Sequence, residues 1–216
     1  MVFSCGVDEA GRGAVVGPMV VAAYMLNLRH GKRLRDLGVV DSKSITRARR
    51  EKIYEELKRE GRYVTAIVTP RMIDAALRLR GGVGLNNLEA EIITRLINTL
   101  KPRRVYIDSP DRNTARFKRL IAEGLERYSG LVCENRADSK YVVVSAASII
   151  AKVTRDRLVD RLHKRYGDFG SGYPSDPKTR RYISGCLRSG RLPPIVRKGW
   201  KTVSLLRQTT LEEFEG

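Results

Sequence analysis

Histidine and cysteine are scarce in this sequence, and their scarcity excludes several kinds of chemistry. There are two histidines, His30 and His163, and neither has another potential metal ligand close to it in the chain. Catalysis by a histidine general base is therefore not expected. The three cysteines, Cys5, Cys133 and Cys186, are odd in number and widely spaced, so the pattern shows neither a disulfide framework nor the spacing of a zinc site.

Long hydrophobic runs are missing as well. No apolar stretch approaches the roughly 20 residues that a membrane-spanning helix requires, and the N-terminus lacks the basic-then-apolar pattern of a secretory signal. We therefore expect a soluble, cytoplasmic protein. Since the sequence has neither coiled-coil heptads nor an exposed apolar stripe, we also expect a monomer.

Acidic residues are the minority charge. The 216 residues contain 24 Asp and Glu against 42 Lys and Arg, which gives a formal net charge of +18 and an isoelectric point near 10.3. An excess of this size, spread along the chain, indicates a polyanionic partner such as a nucleic acid. A strongly charged surface of the kind found in thermophilic proteins would give the same composition, and the two interpretations are compatible.

The hydrophobic pattern predicts an α/β protein. Apolar runs predict two paired strands at 2–7 and 15–26, and further strands at 63–69, 105–107 and 131–133. Helical periodicity predicts helices at 46–61, 71–80, 85–100, 115–128 and 145–166. Strands that first cluster and then alternate with helices indicate a mixed five-stranded sheet flanked by helices.

The pattern changes after Gly167, where short helical pieces are separated by Gly185, Gly190 and a proline pair. These pieces are too short and broken to form a core of their own. We predict a sheet domain over 1–167 and a helical C-terminal extension over 168–207 that packs on it and helps to bind the substrate. The last residues, 208–216, are polar and predict a flexible tail.

Four carboxylates in three segments stand out as candidate metal ligands. Asp8 and Glu9 end the first predicted strand, Asp108 ends a later strand, and Asp138 precedes the longest helix. Adjacent buried acids resist ionisation unless a cation compensates them, so this pattern predicts a divalent metal site. In a regular strand only one of Asp8 and Glu9 can share a face with its neighbours. Asp108 and Asp138 are also typical turn formers or helix caps.

A glycine-rich segment follows the first two acids directly. Gly11, Arg12 and Gly13 allow the backbone to approach a ligand closely, while the guanidinium can face an anion or a base edge. Beside metal-binding acids, such a segment indicates a site that acts on phosphodiesters. A tight turn at the glycines with a surface salt bridge at Arg12 is the plainer interpretation.

Seven segments, in this order over nearly the whole chain, resemble the ribonuclease HII family, and its archaeal members most of all. They are 8–13, 41–43, 106–108, 137–140, 144–153, 170–177 and 193–200. The resemblance implies a ribonuclease H-like fold and endonucleolytic hydrolysis of RNA in RNA/DNA hybrids. It also implies cuts at ribonucleotides embedded in duplex DNA, with 3'-hydroxyl and 5'-phosphate products.

The resemblance also implies roles for individual residues. Asp8, Glu9, Asp108 and Asp138 map onto the catalytic acids, which would hold two Mg²⁺ or Mn²⁺ ions.

Substrate contacts follow from the same resemblance. The segment 11–13 and Tyr173 map onto the groups that recognise the 2'-hydroxyl and the RNA–DNA junction, and a 2'-hydroxyl offers both a donor and an acceptor to such groups. Ser42 and Lys43 resemble phosphate-backbone contacts, and Lys140 is a lesser candidate of that kind. A packed loop tyrosine at Tyr173 and a solvated lysine at Lys140 are the alternatives.

One residue departs from the family pattern. Ala14 follows the Gly-Arg-Gly segment where many relatives carry proline, so a rigid residue is missing from the loop. We expect this difference to change the stiffness of the loop more than its chemistry.

The C-terminus resembles the box by which some replication and repair proteins bind a sliding clamp. Gln208, Leu211 and Phe214 match its glutamine and its aliphatic and aromatic anchors, but Glu215 occupies the place of a second aromatic residue. An inert acidic tail is the alternative.

Two other functions stay open at this point. A DNA-directed nuclease or resolvase of the same fold would share the acids without needing to recognise a 2'-hydroxyl. A basic, non-catalytic RNA-binding protein would not require carboxylates at the ends of strands.

Overall fold

The computed structural model describes residues 3–39, 45–78, 84–128 and 130–215, with the side chains of 28 and 210–215 outside the description. The strands are β1 (Phe3–Ala10), β2 (Met19–Asn27), β3 (Arg62–Val68), β4 (Arg104–Asp108) and β5 (Gly130–Glu134). The helices are α1 (Gly31–Asp36), α2 (Arg47–Glu60), α3 (Pro70–Leu77), α4 (Gly84–Leu100), α5 (Thr114–Ala122), α6 (Val142–Tyr166), α7 (Pro177–Arg188) and α8 (Lys201–Glu215).

The five strands form one mixed sheet in the order β3-β2-β1-β4-β5, which confirms the predicted sheet. The β1 strand pairs antiparallel with β2 and parallel with β4, and β4 pairs parallel with β5. Because Val7 pairs with Ile107, the next residues of the two strands, Asp8 and Asp108, reach the same edge of the sheet.

Local sequence signals begin two of the helices close to their predicted starts. The hydroxyl of Thr46 accepts a hydrogen bond from Arg49 N at 3.3 Å and caps α2. In α3, Thr69 caps the first turn and Pro70 occupies a position whose missing N–H is not needed. Threonine at the cap and proline in the first turn are both typical of helix starts.

Two predicted elements are longer than the observed ones. The second strand begins at Met19 and not at residue 15, because Gly17 has a φ of +88° and Val16 forms an isolated bridge with Val196. The α5 helix ends at Ala122. Beyond it, the Asn98 amide donates to Gly124 O at 2.9 Å and accepts from Glu126 N at 3.1 Å, and these bonds hold the backbone outside a helix.

The chain divides into two compact units. The first comprises Met1–Ala10, Val20–Ala66 and Asn86–Thr154, and it contains most of the sheet. Its β1 strand lies directly against the start of α6, since a Cβ on Gly6 would come within 2.1 Å of the Val143 carbonyl group. Only glycine permits this approach of the two backbones.

The second unit comprises Gly11–Met19, Ile67–Leu85 and Arg155–Gly216. It has a hydrophobic cluster that includes Val15, Val16, Phe169, Ile183 and Val196. The two units do not divide at residue 167, and the predicted extension contributes to this cluster without forming a core of its own. Apolar residues from the beginning of the chain complete the cluster, and their contribution is not visible in the local pattern after Gly167.

The flexibility predicted for 208–216 stays a prediction; in the structure, α8 runs through this segment to Glu215. The first half of α8 is anchored by the buried side chains of Val203 and Leu206, and the Thr209 hydroxyl donates to Leu205 O at 3.3 Å. Once packing has formed the first turns, each added residue gains a backbone hydrogen bond that offsets the entropy it loses. Within the described ranges, the helices are all too short or too polar to cross a bilayer.

Candidate functional site

Three carboxylates from three segments of the first unit converge at one edge of the sheet. Ligand oxygens of Asp8, Asp108 and Asp138 lie within 4.8 Å of one another. Asp8 comes from β1, Asp108 is the last residue of β4, and Asp138 lies in a 3-10 turn, Ala137–Ser139, that follows β5. Strand pairing thus brings together acids that are far apart in the sequence.

Backbone hydrogen bonds fix these side chains. Ala137 N donates to Asp108 Oδ1 at 3.0 Å, so one acid of the group holds the turn that carries another. Glu9 N donates to Asp8 Oδ1 at 2.7 Å, and the Ser145 hydroxyl donates to the carbonyl oxygen of Asp138. The cluster is therefore held in place by the fold.

Burial makes the cluster electrostatically unfavourable for carboxylates alone. The exposed fractions of Asp8 and Asp138 are 7% and 5%. Desolvation raises the pKa of Asp8 to about 7; the Asp108 carboxylate adds to this shift and the Lys152 charge opposes it. A divalent cation would favour the ionised form, and carboxylate oxygens are the ligands that Mg²⁺ and Mn²⁺ prefer. The donor set fits such ions.

Glu9 is placed differently from the other three predicted ligands. It is half-buried in β1 next to Asp8, and successive side chains of a strand point to opposite faces. Among the described residues, the cluster within 4.8 Å contains Asp8, Asp108 and Asp138 and does not include Glu9. The role of Glu9 as a metal ligand stays a prediction.

The glycine segment forms a turn in the second unit. Gly11 has a φ of +81°, a conformation that favours glycine. Ala14 N donates to Gly11 O at 3.3 Å, a bond that a proline at this position would lack the N–H to make. Gly13 is exposed, and a Cβ placed on it would meet nothing within 4 Å. The turn therefore offers bare backbone at Gly13.

A buried arginine holds this turn. Arg197 is fully buried; its Nη2 donates to Gly11 O and its Nη1 to Arg12 O, both at 2.7 Å, and its Nε donates to Gly17 O at 3.0 Å. The sequence analysis assigned no role to Arg197. Its only signal there was its place in the segment 193–200 that resembles the family.

Tyr173 lies on a loop that is held by hydrogen bonds of the second unit. The Asp176 carboxylate accepts hydrogen bonds from Ser171 N at 2.6 Å and from Lys178 N at 2.8 Å. These bonds lower the pKa of Asp176 to about 2, and the bond from Ser171 has the larger effect. Gly172 N donates to the Thr179 hydroxyl at 3.0 Å. The loop is thus rigid on both sides of a half-buried Tyr173.

The remaining predicted residues are less informative. Ser42 and Lys43 lie outside the described residues. Lys140 is exposed and donates to the Glu134 carboxylate, an ion pair that raises the pKa of Lys140. Gln208 is exposed, and the side chains of Leu211 and Phe214 are not described.

The sequence matches known proteins over nearly its whole length. Residues 5–203 match the family model described as Ribonuclease HII. The chain is 43% identical over 219 residues to the ribonuclease HII of Pyrococcus horikoshii, covering 97% of both chains. It is 45% identical over 214 residues to that of Archaeoglobus fulgidus, covering 98% of this chain and 100% of the relative.

Solved structures show the same architecture. The crystal structure of the ribonuclease H2 from Pyrococcus horikoshii OT3 has a TM-score of 0.89 at 42% identity, over 98% of this chain and 100% of that one. The PCNA:RNase HII complex from Archaeoglobus fulgidus gives 0.86 at 44% identity, with coverages of 98% and 100%. Bst-RNase HIII in complex with Mn²⁺ gives 0.81 at 19% identity, over 98% of this chain and 71% of that one, and shows the fold alone.

Proposed function

The chain belongs to the ribonuclease HII family and is a ribonuclease H, and from this premise we propose the reaction that it performs. It hydrolyses the RNA strand of RNA/DNA hybrids endonucleolytically and cuts on the 5' side of ribonucleotides embedded in duplex DNA. The products carry 3'-hydroxyl and 5'-phosphate ends, and the activity serves ribonucleotide removal in DNA replication and repair. The observation that carries the proposal is the convergence of Asp8, Asp108 and Asp138 within 4.8 Å.

We propose that these three acids, with Glu9 as a fourth, hold two Mg²⁺ or Mn²⁺ ions. Such ions, when bound, lower the pKa of an attacking water and neutralise charge on the leaving oxygen. The protein contributes a fixed, buried donor set, because Ala137 N holds Asp108 and Glu9 N holds Asp8 before any ligand arrives.

Recognition of the ribonucleotide is assigned to the turn at Gly11, Arg12 and Gly13 and to Tyr173. The open space at Gly13 supports this assignment, because a 2'-hydroxyl can reach backbone groups there without meeting a side chain. The ring of Tyr173 would pack against a neighbouring sugar. Ala10 alone separates the acids from the turn in the sequence, so cleavage and recognition are assigned to almost consecutive residues.

Contacts to the phosphate backbone complete the proposal. The net charge of +18 supplies a general attraction to a duplex. Ser42 and Lys43 are proposed as local contacts, and Lys140 as a weaker one. Lys140 already forms an ion pair with Glu134. To contact a phosphate, Lys140 must either leave this ion pair or bind the phosphate with the Glu134 carboxylate close by.

The test compares three duplexes of one sequence: all-DNA, DNA with a single ribonucleotide, and a continuous RNA/DNA hybrid. With Mg²⁺ we expect cleavage of the last two and none of the first, with the single cut on the 5' side of the ribonucleotide. Equal cleavage of the all-DNA duplex would instead indicate a DNA-directed nuclease.

Variants of the acids separate catalysis from binding. Asp8→Asn and Asp138→Asn should reduce cleavage by at least about 100-fold, as loss of a metal ligand does, while hybrid binding measured by fluorescence anisotropy is kept. Glu91→Gln, an exposed acid on α4, is the matched control and should retain activity. Full activity in Asp8→Asn would contradict the proposed metal centre.

We also propose that the chain binds a sliding clamp through Gln208, Leu211 and Phe214, and that it is otherwise a monomer. Support comes from the related RNase HII that was solved in complex with PCNA. The exposed position of Gln208 on α8 agrees with this role.

Calorimetric titration of an archaeal PCNA with the full chain and with Phe214→Ala tests the contact. We expect the variant to lose binding, whereas Leu205→Ala, at an exposed position of the same helix, should keep it. Unchanged binding by Phe214→Ala would refute the assignment. Light scattering of the free protein should give the monomer mass of 24.4 kDa.

A further inference from the structure

Arg155 of α6 is buried in the second unit, and the reaction proposed above does not use it. Its exposed fraction is 5%. Within the described part of the chain, its Nε and Nη2 atoms are buried and have no hydrogen-bond partner. Buried guanidinium groups are normally satisfied by carboxylates or carbonyl oxygens, as Arg197 is by its three carbonyl contacts.

The neighbours of Arg155 are residues assigned to substrate recognition. Its guanidinium carbon lies 5.0 Å from the centre of the Tyr173 ring, a distance typical of a cation–π contact. A Cβ on Gly11 would come within 2.0 Å of Arg155 Nε and 2.4 Å of its Cδ. A Cβ on Gly172 would lie 3.6 Å from Nη2. The Arg155 side chain thus lies beside Tyr173, Gly11 and Gly172.

Stability does not explain an arginine at this position. Two buried nitrogen atoms whose N–H groups lack acceptors destabilise the folded protein, and one cation–π contact is too weak to offset them fully. An unbranched apolar side chain such as methionine would fill a similar volume without leaving donors unsatisfied. The charge is therefore expected to act in recognition, and it persists at any working pH because a guanidinium is not deprotonated in proteins.

We propose that Arg155 is a positioning residue for ribonucleotide recognition: its guanidinium holds the Tyr173 ring and packs against Gly11, which keeps the ring and the turn in one fixed arrangement. The inference rests on the proposed function, which assigns Tyr173 and the turn to the RNA–DNA junction. It also predicts that a side chain at position 11 is poorly accommodated, since Arg155 occupies the space that a Cβ would need.

The test uses Arg155→Met, Arg155→Lys, Tyr173→Ala and the double variant Arg155→Met/Tyr173→Ala. Arg161→Met, at an exposed position of the same helix, controls for the loss of one positive charge. For each protein, kcat and KM are measured on the single-ribonucleotide duplex and on the continuous hybrid, together with the unfolding temperature.

We expect Arg155→Met to reduce kcat/KM on the single-ribonucleotide duplex by about five- to tenfold and to affect the hybrid less, at an unchanged or higher unfolding temperature. Arg155→Lys should recover part of the loss because an ammonium keeps a cation over the ring. The double variant should lose no more kcat/KM than Tyr173→Ala alone, because both changes remove the same contact.

Four outcomes would overturn the inference. A lower unfolding temperature with equal losses on both substrates would mean a purely structural role. Equal losses at unchanged stability, additive with Tyr173→Ala, would mean a direct phosphate contact by Arg155. A loss of junction preference in Tyr173→Ala but not in Arg155→Met would reject Arg155 while keeping the proposed recognition, whereas no effect of Tyr173→Ala would reject both.

Discussion

Arg197 Nη2 donates a 2.7 Å hydrogen bond to the carbonyl oxygen of Gly11, 186 residues earlier in the chain. The same guanidinium binds the carbonyl oxygens of Arg12 and Gly17. A simple tight turn would not need a buried cation from a distant segment. The contact fixes the direction of the peptide groups of the turn, and the outward-facing side of the turn is thereby defined before any substrate binds.

Arg197→Lys should destabilise the protein by about 2–4 kcal/mol, because an ammonium cannot reproduce the planar fork and leaves buried carbonyl oxygens unpaired. The measurement is the free energy of unfolding by chemical denaturation. Arg180→Lys, at an exposed position of α7, serves as the control and should change it by less than about 0.5 kcal/mol. A loss in Arg197→Lys no larger than that of the control would show that these hydrogen bonds contribute little.

Two glycines of one turn should respond differently to alanine. Gly11→Ala should lower the free energy of unfolding by about 2 kcal/mol or more, since Gly11 has a φ of +81° and the new Cβ would meet Arg155 Nε at 2.0 Å. Gly13→Ala should change the stability by less than about 1 kcal/mol, because its Cβ would meet nothing within 4 Å. If Gly13 faces the 2'-hydroxyl, that variant nevertheless loses activity on embedded ribonucleotides. Equal stability losses at the two positions would contradict the described geometry.

Asp8→Asn should stabilise the metal-free protein at high pH. Burial raises the pKa of Asp8 from 3.8 to about 7, so its favourable contribution is present below about pH 3.8 and is lost as the pH rises through 7. In the presence of a chelator, the free energy of unfolding of the wild type should therefore become lower than that of Asp8→Asn between pH 5 and 8. The difference should be on the order of 2 kcal/mol. Added Mg²⁺ should reverse the order. A stability difference that is independent of pH would show that burial does not raise the pKa of Asp8.

A matched pair at Asp108 separates its two roles. Asp108→Asn keeps an oxygen that can accept from Ala137 N but loses the charge, so it should fold as well as the wild type and bind Mg²⁺ weakly. Asp108→Ala loses that oxygen too and should be less stable by about 1 kcal/mol. Calorimetric titration with Mg²⁺ and thermal unfolding measure the two effects. If the two variants unfold at the same temperature, the 3.0 Å hydrogen bond to Ala137 does not support the turn.

Local patterns were sufficient to predict the sheet and the position of its acids. Apolar runs that end in a carboxylate predicted Asp8 and Asp108 at strand ends; Asp108 is the last residue of β4, whereas β1 continues past Asp8 to Ala10. Alternation along a strand indicated that Glu9 differs from Asp8. The long-range contacts were not predictable in this way. Nothing near Arg155 or Arg197 in the sequence indicates that their side chains meet the turn at Gly11, because those contacts exist only after folding.

The organisation of the C-terminal third has the same physical origin. The segment after Gly167 was predicted to have no core of its own because its helical pieces are short and broken, and Val15 and Val16 from the start of the chain complete the cluster in which it takes part. The polar composition of 208–216 predicted a flexible tail, whereas the buried side chains of Val203 and Leu206 anchor a helix that continues to Glu215.

The pairing of Val7 with Ile107 has a consequence for the protein during its synthesis. A ribosome releases β1 long before β4 and the turn that carries Asp138, so the acids of a nascent chain stay separated until most of the sheet domain has emerged. Such non-local pairing is also slow to form. The three acids of a growing chain therefore cannot converge until β4 and the turn after β5 have emerged and the strands have paired.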